Sequence, residues 1–155
     1  MITLTLLQKV YRDLHRKSPP LNYVKATAAT SCRREKLFET TLASRSFAPW
    51  LKRERSKGYQ IILLFLWLPS ADFAVSRVKE RVKMGGHHVP EDIIRRHDEA
   101  GLRNFFALYK PLADGFSVYG NSDFATPRLT AEQKAGEKFS TGDSRLWQKL
   151  WETYS

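Results

Sequence analysis

The chain has 155 residues, of which 42% are hydrophobic and 12% aromatic, enough for one domain with a hydrophobic core. Charged residues make up 27% of the sequence, so the composition excludes an intrinsically disordered chain. A single cysteine, Cys32, excludes an internal disulfide framework and favours a reducing compartment. A lone cysteine in a basic stretch is only a weak candidate for a catalytic nucleophile.

The net charge of +10 is concentrated near the amino terminus. Residues 1–57 carry 13 Lys and Arg against 4 Asp and Glu, whereas residues 58–155 carry 13 against 12. A basic excess is typical of proteins with phosphate-rich partners. No helix-turn-helix, RNP or zinc-finger pattern accompanies it. We therefore interpret it as a solvated basic surface and expect no specific nucleic-acid partner.

Hydropathy predicts no membrane segment. A spanning helix needs roughly 18–20 apolar residues, and the longest apolar run, residues 59–69, is too short. The amino-terminal run "ITLTLL" is soon interrupted by charged residues, unlike a secretory signal. We expect a cytoplasmic protein. A weaker alternative is an organellar presequence in residues 1–36, which are basic and poor in acids.

The first third of the chain contains three predicted elements. Residues 1–20 show apolar positions at helical intervals, and Pro19-Pro20 stops that amphipathic helix. Residues 21–35 have no clear period and are interpreted as a loop. The β-forming side chains of residues 37–41 favour a strand. A helix over "FAPWLKRERSK" follows, with Ser44 or Ser46 as its cap and Gly58 at its end.

The remaining elements alternate between strand and helix. "YQIILLFLWLP" is a strand that is apolar on both faces, which is typical of a parallel sheet covered by helices on each side. A helix opens at Pro69-Ser70, "MGGHHVP" breaks it, and a second helix runs from Pro90 to about Tyr109. "GFSVYGNSD" predicts a strand and turn. Residues 128–140 fit either a hairpin or a short helix, and "DSRLWQKLWETY" is a closing helix capped by Asp143. This order predicts an α/β layered domain with a mostly parallel sheet.

Histidines and arginines between residues 77 and 97 suggest two kinds of ligand site. His87-His88 and His97 lie near acids, but they match neither HExxH nor paired CxxC spacing, so we predict no metal site. Arg77 and Arg81 are four residues apart, and a helix would place both on one face. Their rigid guanidinium groups suit phosphoryl oxygens.

A lid over a bound phosphate is therefore one interpretation of this segment. It would consist of two helices hinged at Gly85-Gly86, with Arg95 and Arg96 on the second helix. A merely solvated helical surface is the alternative.

The segment from Leu37 to Asp123 resembles the zeta-toxin-like P-loop kinases, in the branch labelled predicted ABC-type ATPases. The motifs that carry the resemblance, in order, are "FETTLASRSF", "LPSADFAVSRVKERVKMGGHHVPEDIIRRH" and "GLRNFFALYKPLADGFSVYGNSD". The resemblance implies a P-loop kinase-like α/β fold that transfers the γ-phosphate of ATP, with Mg²⁺, to a small acceptor. In the toxin members that acceptor is a UDP-activated amino sugar.

The resemblance also implies roles for individual residues. Glu39 and Thr41 fall where the family has an acidic residue and a threonine near the acceptor, and Arg45 is a looser match to a following arginine. Arg77 matches the first lid arginine that contacts the nucleotide phosphates. His87 stands near the place of the second. Asn104 matches a family asparagine.

From helix geometry alone, Arg81 and Arg95 are candidates to take over the role of the second lid arginine. Arg77 and Arg81 are thus the predicted catalytic residues, and His87 and Arg95 the further phosphate-binding lid residues.

The P-loop that such a kinase requires, GxxxxGK[ST], is not present. No glycine precedes Gly58, and "GFSVYGNS" has the two-glycine spacing but carries Asn121 in place of lysine and is predicted to be a strand. We therefore expect a carboxy-terminal kinase part (residues 37–155, with its lid at 70–110) behind a divergent basic segment (residues 1–36).

Such a part is expected to be inactive alone, because phosphoryl transfer depends on positioning and electrostatics. It would need a partner that carries the P-loop. The alternatives are a non-catalytic interaction module, for example for an antitoxin-like protein, and a non-functional relic. Without the missing elements, we expect "IILLFLWL" to be poorly covered.

Overall fold

The computed structural model describes residues 22–28, 35–122 and 127–155, with side chains from residue 38 onward except that of Glu39. The helix predicted over residues 1–20 lies outside these residues. Strands in the described part are β1 (Asn22–Ala28), β2 (Glu35–Thr40), β3 (Tyr59–Trp67), β4 (Gly115–Gly120), β5 (Arg128–Gln133) and β6 (Ser140–Thr141). Its α-helices are α1 (Phe47–Ser56), α2 (Ala71–Lys83), α3 (Glu91–Asn104) and α4 (Ser144–Tyr154). A π-helix (Phe105–Tyr109) and a 3₁₀ turn (Lys110–Leu112) continue α3.

The fold is mixed α/β, but the prediction of a mostly parallel sheet is wrong. The strand order is β2-β1-β3-β4-β5-β6, and only β3 and β4 pair in parallel. The discrepancy begins at β1, whose residues were interpreted as a loop. β1 lies between β2 and β3 and is antiparallel to both. The apolar run of β3 reflects its central place in the sheet, since both of its edges are paired.

The expectation that "IILLFLWL" is poorly covered is also wrong for one face of β3. Ile61, Leu63 and Phe65 are buried in the main core, whereas Ile62 and Leu64 on the alternate face are half-buried. The helices α1, α3 and α4 all contribute side chains to that core, as do β4 and β5. These helices therefore cover the same face of the sheet.

Three strands run in the same direction. β1 is antiparallel to β2 and to β3, so β2 and β3 point the same way, and β4 is parallel to β3. Their carboxyl ends therefore meet at one edge of the sheet, where Thr41, Leu68 and Asn121 follow them. The carboxyl ends of co-directional strands are where open α/β sheets commonly bind ligands.

Several local predictions are confirmed. Gly58 follows the end of α1 with φ of +83°, the left-handed conformation that favours glycine at this position. Ser70 caps α2 by accepting a hydrogen bond from the Phe73 amide at 3.1 Å, and Asp143 caps α4 by accepting one from the Leu146 amide at 3.0 Å. Of the two alternatives for residues 128–140, the structure has the hairpin, formed by β5 and β6.

The connection from β2 to α1 is held against α3 by one buried side chain. Asn104, which is 4% exposed, donates hydrogen bonds from Nδ2 to the carbonyls of Leu42 and Ala43, both at 2.9 Å. Its Oδ1 accepts a bond from Arg45 Nε at 3.2 Å. Nearby, the Tyr109 hydroxyl donates to the carbonyl of Ser44. These bonds fix a turn in which Leu42 adopts a φ of +57°, which is unusual for a side chain of this kind.

We predict that Asn104→Leu lowers the free energy of unfolding by about 2 to 4 kcal/mol, because it leaves one buried and one partly buried carbonyl without the Asn104 donor. Arg45→Ala removes only the third, partly buried bond of an otherwise exposed side chain and is expected to cost under about 1 kcal/mol. Urea unfolding of both variants measures the difference. Equal effects of the two substitutions would contradict the role of Asn104 as the clamp.

Candidate functional site

A cavity of about 250 Å³ lies between α2 and α3, at the carboxyl ends of β2 and β3. We call it the arginine cavity. Its walls are largely apolar, with Phe65, Leu66, Val78, Ile94 and Leu102 among the lining residues. Its polar lining consists of Thr41, Arg77, Arg81, His97 and Asp98. An apolar pocket with a few converging polar groups is the usual form of a small-molecule site.

Arg77 is the most deeply buried of these polar residues, with 5% of its surface exposed. Its Nη2 donates a hydrogen bond to Asn121 Oδ1 at 3.2 Å, and its guanidinium lies 5.4 Å from the centre of the Phe73 ring. Asn121 is itself fully buried, and its backbone N–H donates to the Trp67 carbonyl at 2.8 Å. Arg77 is therefore positioned by the carboxyl ends of the parallel pair β3 and β4. The Nδ2 group of Asn121 has no hydrogen-bond partner in the described part of the chain.

Arg81 is positioned by the turn that follows α2. Its Nη2 donates to the His87 carbonyl at 2.9 Å, and the Gly86 amide donates to the Arg81 carbonyl at 2.9 Å. Gly85 has a φ of +87°, and a Cβ at Gly86 would collide with the Arg81 side chain. The glycine pair thus lets the turn fold over Arg81. Within residues 35–122 and 127–155, the buried Nε of Arg81 finds no acceptor.

The walls of the cavity are set by close packing of α3. Gly101 approaches the end of β2 so closely that a Cβ there would lie 2.5 Å from the Thr41 carbonyl oxygen. On the other side, Ala74 and Val75 of α2 pack against Ile94 of α3 in a second, smaller core. Helix α2 is thus packed on α3, and the cavity opens between that contact and the sheet.

Ion pairs reinforce the contact between the two helices. Lys79 pairs with Glu91 at 2.5 Å, and Arg95 pairs with Asp72 at 2.6 Å. The hydrogen bond and charge of Lys79 lower the pKa of Glu91. Both pairs are exposed, and exposed ion pairs contribute little to stability. The apolar packing therefore contributes more to the helix pair than these charges do.

The structure brings together three of the residues predicted for the site, namely Thr41, Arg77 and Arg81. Arg45 is exposed and lines a separate shallow cavity beside α1. Glu39 lies in β2 in register with Tyr23, and the structure does not describe its side chain.

Two further predicted residues lie apart from the arginine cavity. His87 has an exposed side chain and contributes its carbonyl to Arg81. Arg95 is exposed, bonded to Asp72, and lines a different cavity on the far side of α3. A lid in which Arg95 faces Arg77 is therefore not the arrangement seen here.

Sequence reasoning assigns three polar residues of this region to no phosphate site: His97, Asp98 and Asn121. It considers His97 only as a metal ligand. Neither Asp98 nor His97 belongs to a recognisable motif. They line the cavity because their face of α3 is packed towards it. Burial raises the pKa of the Asp98 carboxyl group. Asn121 was noted only as the wrong residue in a P-loop-like spacing. That spacing is confirmed to be a strand, because Gly115–Gly120 form β4.

The described residues contain no group of three or more His, Cys, Asp or Glu side chains placed to hold a metal ion. None of their helices has the length and apolar character needed to cross a bilayer.

Comparison with known proteins gives little further information. No protein-family model matches the chain, and no solved structure matches it. An uncharacterized protein of Haemophilus influenzae is 32% identical over 57 residues. That match covers 37% of this chain and 41% of the relative, so the chain spans less than half the length of the protein it resembles. The match establishes neither a family nor an activity.

The raised pKa of Asp98 predicts a pH-dependent stability. The pKa of Asp98 is higher in the folded than in the unfolded state, so folding favours its protonated form. The contribution of the protonated carboxyl group to the free energy of unfolding is therefore present at low pH and is lost as the pH rises through the folded-state pKa. Asp98→Asn, which cannot ionise, is therefore expected to melt above the wild type at pH 7, with a smaller difference at pH 4.

Thermal unfolding of both proteins across this pH range measures the effect. Glu99→Gln is the matched control, because Glu99 is exposed and pairs with Arg103. An Asp98→Asn difference that does not vary with pH would contradict the prediction.

Proposed function

We propose that this chain binds the phosphate group of a small phosphorylated molecule in the arginine cavity, as the phosphate-binding part of an ATP-dependent small-molecule kinase of the zeta-toxin-like type. The observation that carries the proposal is the convergence of Arg77, Arg81 and Thr41 on one cavity at the carboxyl ends of co-directional strands. These residues come from two separate predicted motifs, and the fold brings them together.

The hydrogen-bonding pattern supports an anionic, acceptor-rich ligand. The Arg81 Nε and the Asn121 Nδ2 are buried donors that lack acceptors in the described chain, and Asn121 is bonded to Arg77. A buried donor without an acceptor is destabilising by about 1 to 3 kcal/mol. Phosphate oxygens are acceptors, and two arginines supply the opposite charge. Arg81 lines the cavity, so a phosphate bound there would give its Nε an acceptor. Asn121 does not line the cavity and acts on the site through its bond to Arg77.

The size of the cavity limits how much of a ligand it encloses. Pockets for drug-sized ligands are typically about 300–1,000 Å³, and this one is about 250 Å³. It suits a phosphate with a small attached group better than a whole nucleotide triphosphate. The remainder of a nucleotide or sugar nucleotide would extend outside it.

Catalysis in this proposal requires more than the 155 residues contain. They include no GxxxxGK[ST], so the lysine and the Mg²⁺-binding hydroxyl of a P-loop would have to come from another segment or partner. The proposed role of this chain is therefore to bind and orient the phosphate, and we expect no turnover from these residues alone.

Isothermal titration with ATP–Mg²⁺, a UDP-amino sugar and inorganic phosphate tests the proposal. Arg81→Met is expected to weaken the binding of each ligand that the wild type binds by about tenfold to a hundredfold, because a hydrogen bond to a charged group contributes about 1.5–3 kcal/mol. Arg103→Met is the matched control, since Arg103 is an exposed arginine of α3 paired with Glu99.

Two results would contradict phosphate binding: equal affinities in both variants, or no binding by wild-type protein that unfolds cooperatively. In the second case, the non-catalytic interaction module would become the better interpretation.

A further inference from the structure

Asp98 lies at the boundary between the arginine cavity and a second cavity. The second cavity has a volume of about 600 Å³ and lies between the start of α2, the outer side of α3 and the end of α4. We call it the α4 cavity. Trp67, Leu68 and Leu102 line both cavities together with Asp98. A ligand that is anchored at Arg77 and extends into the α4 cavity would therefore pass the residues that line both cavities, Asp98 among them.

Of the four acids on α3, Asp92 and Asp98 have no partner among the described residues. Asp92 is exposed, whereas Asp98 is half-buried and lines both cavities. Glu91 pairs with Lys79, and Glu99 pairs with Arg103. Asp98 is half-buried, and the described residues offer it neither a hydrogen bond nor an ion pair. Burial without a partner is unfavourable for a carboxylate, and groups of this kind are concentrated at functional sites. Its partner is therefore to be sought in a ligand.

An ionised carboxylate only accepts hydrogen bonds, so the matching ligand group is a donor. We propose that Asp98 accepts a hydrogen bond from a hydroxyl or ammonium group of the same ligand whose phosphate is bound by Arg77 and Arg81. This inference rests on the proposed function and narrows its ligand class. The ligand is a phosphate ester that carries a hydrogen-bond donor on the side facing the α4 cavity.

Three matched series of probes test this assignment. They are n-alkyl phosphates, ω-hydroxyalkyl phosphates and ω-aminoalkyl phosphates, each with two to six carbons, titrated at pH 7.5 into the full chain. At one or more lengths, the hydroxyl or amino compound is expected to bind about tenfold more tightly than the alkyl compound of equal length. The length that gives the advantage also reports the distance from the phosphate site to Asp98.

Two substitutions at Asp98 separate the effects of shape, charge and hydrogen bonding. Asp98→Leu keeps the branching at Cγ in a larger side chain without an acceptor, so it is expected to remove the advantage of both donor series. Asp98→Asn retains an acceptor oxygen but no charge, so it is expected to reduce the ammonium advantage more than the hydroxyl advantage. Asp92→Leu, which replaces an exposed acid of α3 that lines neither cavity, is expected to change neither.

The outcomes distinguish the two proposals. If wild-type protein binds none of the phosphates, the proposed function fails and this inference fails with it. If it binds alkyl phosphates but gains nothing from a donor at any length, phosphate binding stands and the role of Asp98 is overturned. An advantage that persists in Asp98→Leu also overturns it. An advantage lost in Asp98→Leu and kept in Asp92→Leu supports the assignment.

Discussion

The three hydrogen bonds of Asn104 are the interaction on which the geometry of the site depends. They hold the turn after β2 against the end of α3, and that turn carries Thr41 into the arginine cavity. One helical turn earlier, Gly101 allows α3 to contact the Thr41 carbonyl directly. The hydrogen bonds of Asn104 and the lack of a side chain at Gly101 thus set the distance between α3 and the turn after β2. The cavity is the space left between α2, α3 and the sheet.

The sequence predicts the described elements better than it predicts their arrangement. Helices α1 to α4 and strand β3 follow from local patterns: apolar periodicity, capping side chains and a C-terminal glycine. Strand direction is not a local property. Once the short segment Asn22–Ala28 was interpreted as a loop, nothing in the apolar run of β3 indicated an antiparallel neighbour. A strand with two paired edges is apolar in either kind of sheet.

The sequence indicates which side chains lie together where their spacing is informative, and it gives no indication where burial decides. Arg77 and Arg81 are four residues apart on a helix, so their common face could be predicted from the sequence. Thr41 entered through a resemblance to a kinase motif, and the structure places it beside them. Asp98 and Asn121 have no distinctive spacing. What distinguishes them is their burial and the hydrogen-bond partners that each lacks, and these two properties depend on the tertiary fold.

The parallel pairing of β3 with β4 also bears on how the molecule folds. Ile62 pairs with Gly115, so the pairing closes a long segment that includes both α2 and α3. Closing a long loop is entropically unfavourable, and contacts distant in sequence slow folding. Arg77 lies inside that segment and its partner Asn121 lies beyond it. The arginine cavity is therefore complete only after the slow, non-local step of folding, and it would be lost first if the segment detached from an otherwise intact sheet.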